Sequence, residues 1–253
     1  MIGDDSPAAV VERRTETLRA LAVASASKAE LAERIGVSRS TAERSLRDLS
    51  MLGFVAATAD GYQLTVPGRL ALDEHDRRIE RIGRFADVAS LFDGIEVGID
   101  VDPALFDDAR VVEPRPHAPH RPVECVAALV ADATHVSVYS ARHLSRNARV
   151  YHNQVLDGMT GTFVVTDRVV DQQRSTRPGD LREALDLGRI DIRRTDRDEP
   201  VTLVLAETPD GPEVGLVLYL DGTPRGFVGT DDPAATRWAR DLHERLWQSA
   251  TPL

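Results

Sequence analysis

The chain has 253 residues, of which 42% are hydrophobic and 28% charged, and its formal net charge is −10. This length predicts one large domain or two modest ones with buried cores. No stretch approaches the roughly 20 apolar residues that a membrane-spanning helix needs, and no signal peptide precedes the first helical pattern, so a cytoplasmic protein without a membrane partner is expected. The single cysteine, Cys125, excludes an internal disulfide and a cysteine-rich zinc site.

The basic side chains are unusual in kind and unevenly placed. Lys28 is the only lysine, so 30 of the 31 basic residues are arginines. An acidic, lysine-poor chain suits the salt-rich cytoplasm of a halophile, although a GC-rich genome would also favour arginine codons. Residues 1–90 carry 13 basic and 14 acidic side chains, whereas residues 91–253 carry 18 and 27. The nearly neutral first part therefore predicts a polyanionic partner.

An initial helical region has apolar residues at Val10, Val11, Leu18, Leu21 and Ala22, and two short helices are predicted after it. The first of these two helices begins at Ser27 and Glu30, which have the spacing of a capping box, and ends at Gly36, which provides a left-handed turn. Ser38 is the expected N-cap of the next helix. The inner face of that helix carries Ala42, Leu46 and Leu49, and its outer face carries Arg39, Ser40, Glu43, Arg44 and Arg47.

Two β-prone runs, Phe54–Thr58 and Tyr62–Val66, follow and are separated by a turn that contains Asp60-Gly61. This pattern predicts a hairpin. A hairpin directly after a helix, turn and second helix is the wing of a winged helix-turn-helix, whose second helix enters the DNA major groove. We expect Arg39, Ser40 and Arg44 to face base edges, and Arg47 and Gly61 to meet phosphates. The full set of predicted DNA-binding residues is Ser38, Arg39, Ser40, Thr41, Arg44, Arg47 and Gly61.

The string LAERIGVSRSTAERSLRDLSMLGFV, followed by GYQLTVPGRLAL, resembles archaeal and bacterial winged helix-turn-helix transcription regulators. The resemblance implies a DNA-binding domain over residues 1–66 and double-stranded DNA as the partner. The alternative is a winged helix that contacts only proteins, as in a non-catalytic adaptor or assembly protein. Glu43 on the outer face opposes phosphate binding, but a glutamate can also accept a hydrogen bond from a cytosine amino group.

A long amphipathic helix is predicted to begin at Pro67, within a linker of residues 67–93. Ile79, Ile82, Phe85 and Val88 recur at a spacing of three to four residues, which suits a seam between two helices. We therefore expect a homodimer held together by this helix. The alternative is a connector whose apolar residues pack only against their own domain.

Residues 94–253 alternate predicted helices and strands and then form a late antiparallel hairpin at Asp221-Gly222. Such alternation predicts a mixed sheet covered by helices. The expected fold class is therefore α+β, with an N-terminal winged helix joined by a long helix to a C-terminal mixed α/β sensor domain. Polar residues that follow the strand ending at Tyr139 are candidates for an effector pocket. The candidates named for that pocket are Tyr139, Arg142, His143, Tyr151, His152 and Asn153.

The segments DDARVVEPRPHAPHRPVE, YHNQVLDG and DGTPRGFVGTDDPAATRWARDL are similar to haloarchaeal regulators of the methanogen filament-regulatory type. The C-terminal domains of those regulators resemble the effector domain of TrmB-like sugar regulators. The resemblance implies an effector-sensing and dimerising role for this part of the chain. It also evokes a phospholipase-D-like scaffold, whose His-x-Lys motif cannot occur here because the only lysine is Lys28.

The sequence offers little support for an enzyme, since it has no G-x-S-x-G, P-loop, dinucleotide-binding or H-E-x-x-H motif. The spacing of its histidines fixes no shared face, so neither a metal site nor a cofactor is expected. Cys125 lies on the apolar face of a predicted helix and is interpreted as a buried structural thiol. The sequence therefore predicts a sequence-specific DNA-binding transcription regulator. It is expected to be a dimer that a small-molecule effector controls through the C-terminal domain.

Overall fold

The computed structural model describes residues 6–142 and 145–253, and the side chains of all of these except residues 145–147. The chain divides into two compact units, one that ends at Gly83 and one that begins at Arg84. Within the described parts of the chain, no helix combines the length and apolarity needed to cross a membrane.

The first unit contains four short helices, a β-hairpin and most of a long helix. Its core is built from apolar side chains of all these elements, with Leu18, Leu31 and Leu49 completely buried. The elements in order are α1 (Pro7–Arg13), α2 (Thr15–Val23), α3 (Lys28–Arg34), α4 (Arg39–Met51), β1 (Val55–Thr58), β2 (Gly61–Leu64) and α5 (Val66–Val88).

Hydrogen bonds at the helix ends confirm the predicted helix boundaries. The Ser27 hydroxyl accepts a bond from the Glu30 amide at 3.3 Å, and the Glu30 carboxylate accepts one from the Ser27 amide at 2.8 Å. Gly36 follows α3 with φ of +69°, the left-handed conformation that glycine tolerates best. The Ser38 hydroxyl then accepts a bond from the Thr41 amide at 3.1 Å and caps α4.

The β1–β2 hairpin is held against the segment between α2 and α3. Ala26 and Tyr62 exchange two backbone hydrogen bonds of 2.8 and 3.0 Å, which adds a third short extended segment to the hairpin. Gly61 has φ of +117°, and a Cβ atom there would lie 2.5 Å from the carbonyl carbon and oxygen of Ala26. Only glycine permits this approach, because any side chain would overlap the Ala26 backbone.

The second unit is an eight-stranded sheet with helices on both faces. It begins with the end of α5 and two 3-10 turns, Ala89–Phe92 and Pro103–Phe106. The elements that follow are β3 (Arg110–Val112), α6 (Arg121–Ala131), β4 (His135–Ser140), α7 (Ser145–Leu156), β5 (Thr160–Thr166), α8 (Asp167–Thr176), α9 (Pro178–Asp186), β6 (Ile190–Thr195), β7 (Val201–Thr208), β8 (Gly211–Leu220), β9 (Thr223–Thr230), α10 (Pro233–Ser249) and β10 (Thr251–Pro252).

The strand order is β10-β6-β5-β4-β7-β8-β9-β3. Strands β4, β5 and β6 are parallel to one another, whereas β7, β8 and β9 form an antiparallel meander and β3 pairs antiparallel with β9. Helices connect the parallel strands and tight turns connect β7, β8 and β9, as expected from the two connection types. The predicted mixed, helix-covered sheet and the α+β fold class are confirmed.

The two faces of the sheet bury separate cores. One core packs under α10 and the segment 88–106, and it includes Tyr139, Leu203 and Leu216. The other packs under α6, α7 and α9, and it includes Cys125 and Val138. Cys125 is buried as expected, and burial raises the pKa of its thiol.

Two expectations about helices differ from the structure. The long helix ends at Val88, and residues 89–92 form a 3-10 turn. Phe85 and Val88, both expected at a dimer seam, instead pack into the core of their own unit, where Phe85 makes an edge-to-face contact of 5.5 Å with Phe106. Helix α8 is not predicted from the sequence, because Val169 and Val170 are its only apolar residues and produce no helical periodicity.

Candidate nucleic-acid interface and ligand cavity

Helix α4 presents one buried and one solvent-facing side. Ala42, Leu46 and Leu49 are buried in the core of the first unit. At 100° per residue, five exposed polar positions of α4 fall in an arc of about 140° on the solvent-facing side. We call this the outer face of α4, which consists of Arg39, Ser40, Glu43, Arg44 and Arg47, all exposed.

The arginines of the outer face differ from Arg14 and Arg19, which pair with carboxylates within the first unit. Arg39, Arg44 and Arg47 make no ion pair with any residue that the structure describes. In contrast, Arg14 lies 2.9 Å from Asp48 and Arg19 lies 2.7 Å from Asp76. The uncompensated positive charge of these three side chains therefore lies on one side of one helix, where it is available to phosphates or to base edges.

The hydroxyl groups at the start of α4 form a local network. The Ser38 hydroxyl lies 2.9 Å from the hydroxyl of Ser40 and 2.8 Å from that of Thr41, in addition to accepting the Thr41 amide bond. Ser38 is thus occupied in capping and Thr41 is only partly exposed, whereas Ser40 is exposed and does not cap the helix.

Glu43 is neutralised by the only lysine of the chain. The Lys28 ammonium lies 2.8 Å from the Glu43 carboxylate. This hydrogen bond, with the attraction between the two charges, raises the pKa of Lys28 and lowers that of Glu43. The sequence gives no sign of this pair, which joins the first turn of α3 to the middle of α4. It removes most of the repulsion that Glu43 would exert on a phosphate.

The wing, residues 55–64, does not support the predicted phosphate contact at Gly61. Gly61 is half-buried and packs on the Ala26 backbone, so its role is to let the hairpin dock. The turn residues are Ala59 and Asp60, and Asp60 is the only charged side chain between residues 54 and 65. An acidic tip without a basic neighbour repels the DNA backbone. The assignment of Gly61 to phosphate binding is therefore corrected.

A cavity lies in the second unit between the sheet and helices α7, α8 and α9. Its volume is about 150 Å³, and part of it opens to solvent. Its floor is formed by strands β4 to β8, and its roof is formed by the three helices. An apolar cavity of this volume holds a molecule of the size of benzene, so the cavity has room for a small ring compound.

Half of the predicted effector residues line this cavity. Arg142, Tyr151 and His152 do so. Asn153 is exposed on the far side of α7, because the helical twist turns it away from its neighbours Tyr151 and His152. His143 lies outside the described residues.

Tyr139 is a further correction, since it belongs to the opposite face of the sheet. Val138 and Ser140 line the cavity, and successive residues of a strand alternate between faces. The Tyr139 hydroxyl donates to the Arg197 carbonyl and accepts from the Glu199 amide, both at 3.0 Å. Burial raises the pKa of Tyr139 to about 12. This tyrosine therefore ties the loop before β7 to the sheet.

Sequence reasoning missed Thr202 and Tyr219, which enter the cavity from β7 and β8. The hydroxyls of Ser140 and Thr202 are 2.7 Å apart, and Thr202 donates to the Tyr219 hydroxyl at 3.3 Å. Burial raises the pKa of Tyr219 to about 12. These residues are more than 60 positions from β4 in the chain, so only the strand order brings them to the same site.

The charged residues that line the cavity are paired with partners beside it. The Arg142 guanidinium binds the Asp198 carboxylate. His152 lies 3.0 Å from Glu183, and Asp180 lies 3.1 Å from Arg177. Among the residues that the structure describes, no group of three or more His, Cys, Asp or Glu side chains is placed to hold a metal ion.

A winged helix-turn-helix followed by a helix-covered α/β unit defines the chain as a DNA-binding transcription regulator. More than half of its length, residues 119–249, matches the family described as methanogenesis regulatory protein FilR1, middle domain, and the chain belongs to this family. Residues 6–86 match a second family, the HVO_A0261 N-terminal domain. The resemblance of the sequence to archaeal winged-helix regulators of the methanogen filament-regulatory type is confirmed.

Solved structures match this chain at low sequence identity and with TM-scores below 0.5. TrmBL2, an archaeal chromatin protein, is 14% identical with a TM-score of 0.46, covering 95% of this chain and 93% of its own. The phospholipase D family member Nuc from Salmonella typhimurium is 11% identical with a TM-score of 0.40, covering 58% of this chain and 99% of its own. NucT from Helicobacter pylori is 10% identical with a TM-score of 0.39 and the same coverages. No curated protein is significantly similar in sequence.

Proposed function

We propose that this regulator is a homodimer that binds a specific DNA sequence through α4 and responds to a small-molecule effector in its second unit. The observation that carries the DNA-binding part is the set of three arginines on the outer face of α4 that make no ion pair with any described residue, whereas Arg14, Arg19 and Lys28 are paired with carboxylates. Such a regulator acts where the genome is, which is the cytoplasm of an archaeal or bacterial cell.

The residues of the outer face have separate roles in this proposal. Arg39 and Arg44 read base edges in the major groove, because arginine forms paired hydrogen bonds with guanine. Ser40 adds a hydroxyl contact beside Arg39. Arg47, two turns further along the helix, contacts a phosphate and positions the helix without reading sequence.

The dimer contact is proposed for the exposed part of α5. Ile79 is 47% exposed and Ile82 is 53% exposed, and they lie three residues apart on one side of the helix. Two large aliphatic side chains at this spacing favour a second helix as a partner, and twofold regulators read half-sites about one helical turn of DNA apart. Phe85 and Val88 are not included in the contact, because they pack within their own unit.

The second unit acts as a sensor without catalysis in this proposal. Its cavity holds no lysine, because the only lysine of the chain lies in the winged helix. The charged groups described around the cavity are engaged in ion pairs, an arrangement that suits ligand binding better than acid–base chemistry. The effector then changes DNA affinity by binding the DNA-bound and free forms unequally.

Selection from random DNA duplexes, followed by titration of the selected site, tests this function. We expect the full chain to enrich one sequence with twofold symmetry and to bind it more tightly than a scrambled duplex. A chain that enriches no sequence at any salt concentration contradicts the proposal. That result would favour the alternative of an adaptor whose winged helix contacts proteins, and a pull-down with the intact chain would then identify the contact.

A further inference from the structure

The cavity of the second unit has walls that restrict the chemistry of its ligand. Twelve of the twenty described residues that line it are aliphatic or phenylalanine. Phe163, Val165 and Ile192 project from the sheet, and Val155 and Leu181 project from the helices. A ligand that fills this space replaces water along apolar surface, which favours an apolar molecule.

Electric charge is balanced around the cavity before any ligand enters. Arg142, His152 and Asp180 are the basic or acidic side chains among the described lining residues, and each lies beside a partner of the complementary kind, Asp198, Glu183 and Arg177 respectively. A charged ligand would have to displace one of these partners or be buried without compensation. Since burying an uncompensated charge is costly, the site favours an uncharged ligand.

Polar groups that could bind a ligand are also few. Ser140, Thr202 and Tyr219 are hydrogen-bonded to one another, and Gln173 has an interaction of its own. Of the described lining groups, only the Tyr151 hydroxyl is buried without a hydrogen-bond partner. Its ring is fixed by an edge-to-face contact of 5.4 Å with Phe163. A buried unpaired hydroxyl costs folding free energy, and a ligand that supplies its partner recovers that cost.

We propose that the cavity binds a small, uncharged and mainly apolar molecule whose single carbonyl or hydroxyl oxygen forms a hydrogen bond with the Tyr151 hydroxyl. A sugar does not fit this site, because each of its several hydroxyls would need a partner on burial and only one buried unpaired group is present among the described lining. Burial raises the pKa of Tyr151, so its hydroxyl stays protonated and able to donate at neutral pH. Control of DNA binding by this ligand rests on the proposed function, whereas the binding itself does not.

Binding is tested with 4-(dimethylamino)benzonitrile, a neutral one-ring probe whose fluorescence increases in apolar surroundings. We expect saturable binding of one probe molecule to each full-length chain. Ala148 lines the cavity from α7, and Ala148→Phe should abolish binding by filling the space. Ala131→Phe, at an exposed position on α6, is the matched control and should bind normally. Absence of saturable binding to the parent, or unchanged binding to a folded Ala148→Phe chain, would overturn the proposal.

The chemistry of the ligand is tested by displacing the probe with ethylbenzene, acetophenone, benzoate and maltose. Acetophenone differs from ethylbenzene mainly by a carbonyl oxygen. In Tyr151→Phe, which keeps the ring and removes an unpaired hydroxyl, acetophenone should lose about tenfold in affinity relative to ethylbenzene, the value of one buried hydrogen bond. An unchanged ratio overturns the role of Tyr151. Displacement by maltose or benzoate at lower concentration than by acetophenone overturns the assignment of an uncharged, apolar ligand.

Titration of the selected DNA site with and without acetophenone separates this inference from the proposed function. Probe binding without any DNA binding would contradict the regulator and leave the cavity assignment intact. DNA binding by a chain that takes up no probe would contradict the cavity assignment and leave the regulator intact. A change in DNA affinity of the parent but not of Ala148→Phe supports both, and acetophenone should then bind the DNA complex with affinity altered by the same factor.

Discussion

The Lys28 ammonium lies 2.8 Å from the Glu43 carboxylate, so the only lysine of the chain neutralises the acidic side chain on the outer face of α4. The pair leaves Arg39, Arg44 and Arg47 as the dominant charges of that face. Both partners are solvent-exposed, so its contribution to folding stability is small. The pair matters because it makes the electrostatic potential at the outer face less repulsive to an approaching phosphate.

The first prediction concerns this pair. Lys28→Met should weaken DNA binding by about fivefold, since it uncovers one negative charge beside the phosphates. The double variant Lys28→Met/Glu43→Gln should recover most of the loss. Fluorescence anisotropy with the selected duplex measures both. If the double variant binds as weakly as the single one, Lys28 itself contacts DNA and the neutralisation of Glu43 is irrelevant.

Base reading by α4 gives the second prediction. Arg39→Ala and Arg44→Ala should each cost about 1 to 3 kcal/mol of binding free energy and relax the preference at one base pair. Arg47→Ala should weaken all sequences alike. Arg77→Ala removes the same charge from α5, where it pairs with Glu74, and serves as the control. Undiminished operator binding by both Arg39→Ala and Arg44→Ala would show that α4 is not the recognition helix.

Salt dependence is the third prediction. Counterion release normally makes the logarithm of DNA affinity fall by about 0.9 per phosphate contact for each unit of log salt. The acidic surface of a haloadapted protein takes up cations on approaching DNA, so we expect a shallower slope than the arginine contacts imply. A steep slope, together with complete folding in dilute buffer, would contradict the halophile interpretation.

The fourth prediction concerns assembly. Ile82→Glu should convert the dimer to a monomer, because it places a charge in an apolar contact, and the second unit should remain folded. Leu70→Glu, at another exposed aliphatic position of α5, is the control and should leave the dimer intact. Light scattering at micromolar concentration measures both masses. A monomeric parent, or a dimeric Ile82→Glu chain, removes this helix from the interface.

The fifth prediction tests the docking of the wing. Gly61→Ala should destabilise the first unit by about 2 to 4 kcal/mol, because it combines a strained φ with overlap on the Ala26 backbone. Gly53 has φ of +71° with no atom near an added Cβ, so Gly53→Ala should cost about 1 to 2 kcal/mol. Hydrogen exchange of the amides in the described part of the first unit compares the two. Equal losses would mean that the close approach to Ala26 contributes nothing.

Local signals were sufficient for much of the winged helix and for the order of elements in the second unit. The Ser27–Glu30 capping box, the Ser38 cap and the turn at Asp60-Gly61 each depend on residues within a few positions of one another. Their hydrogen bonds are therefore specified before any tertiary contact forms. The amphipathic pattern of α4 likewise assigned Leu46 and Leu49 to the core and its arginines to the surface.

Only the tertiary structure decided which side chains meet across distant parts of the chain. The partner of Glu43 is 15 residues away, and the atoms that restrict Gly61 belong to Ala26. In the cavity, Thr202 and Tyr219 reach Ser140 because β7 and β8 follow β4 in the sheet, an order that periodicity does not encode. The sequence by itself determined which segments become helices or strands and which of their faces are apolar, since neighbouring residues fix both. What those faces pack against, and which hydroxyl is left without a partner, depends on strand order and helix packing, because those contacts join residues far apart in the chain.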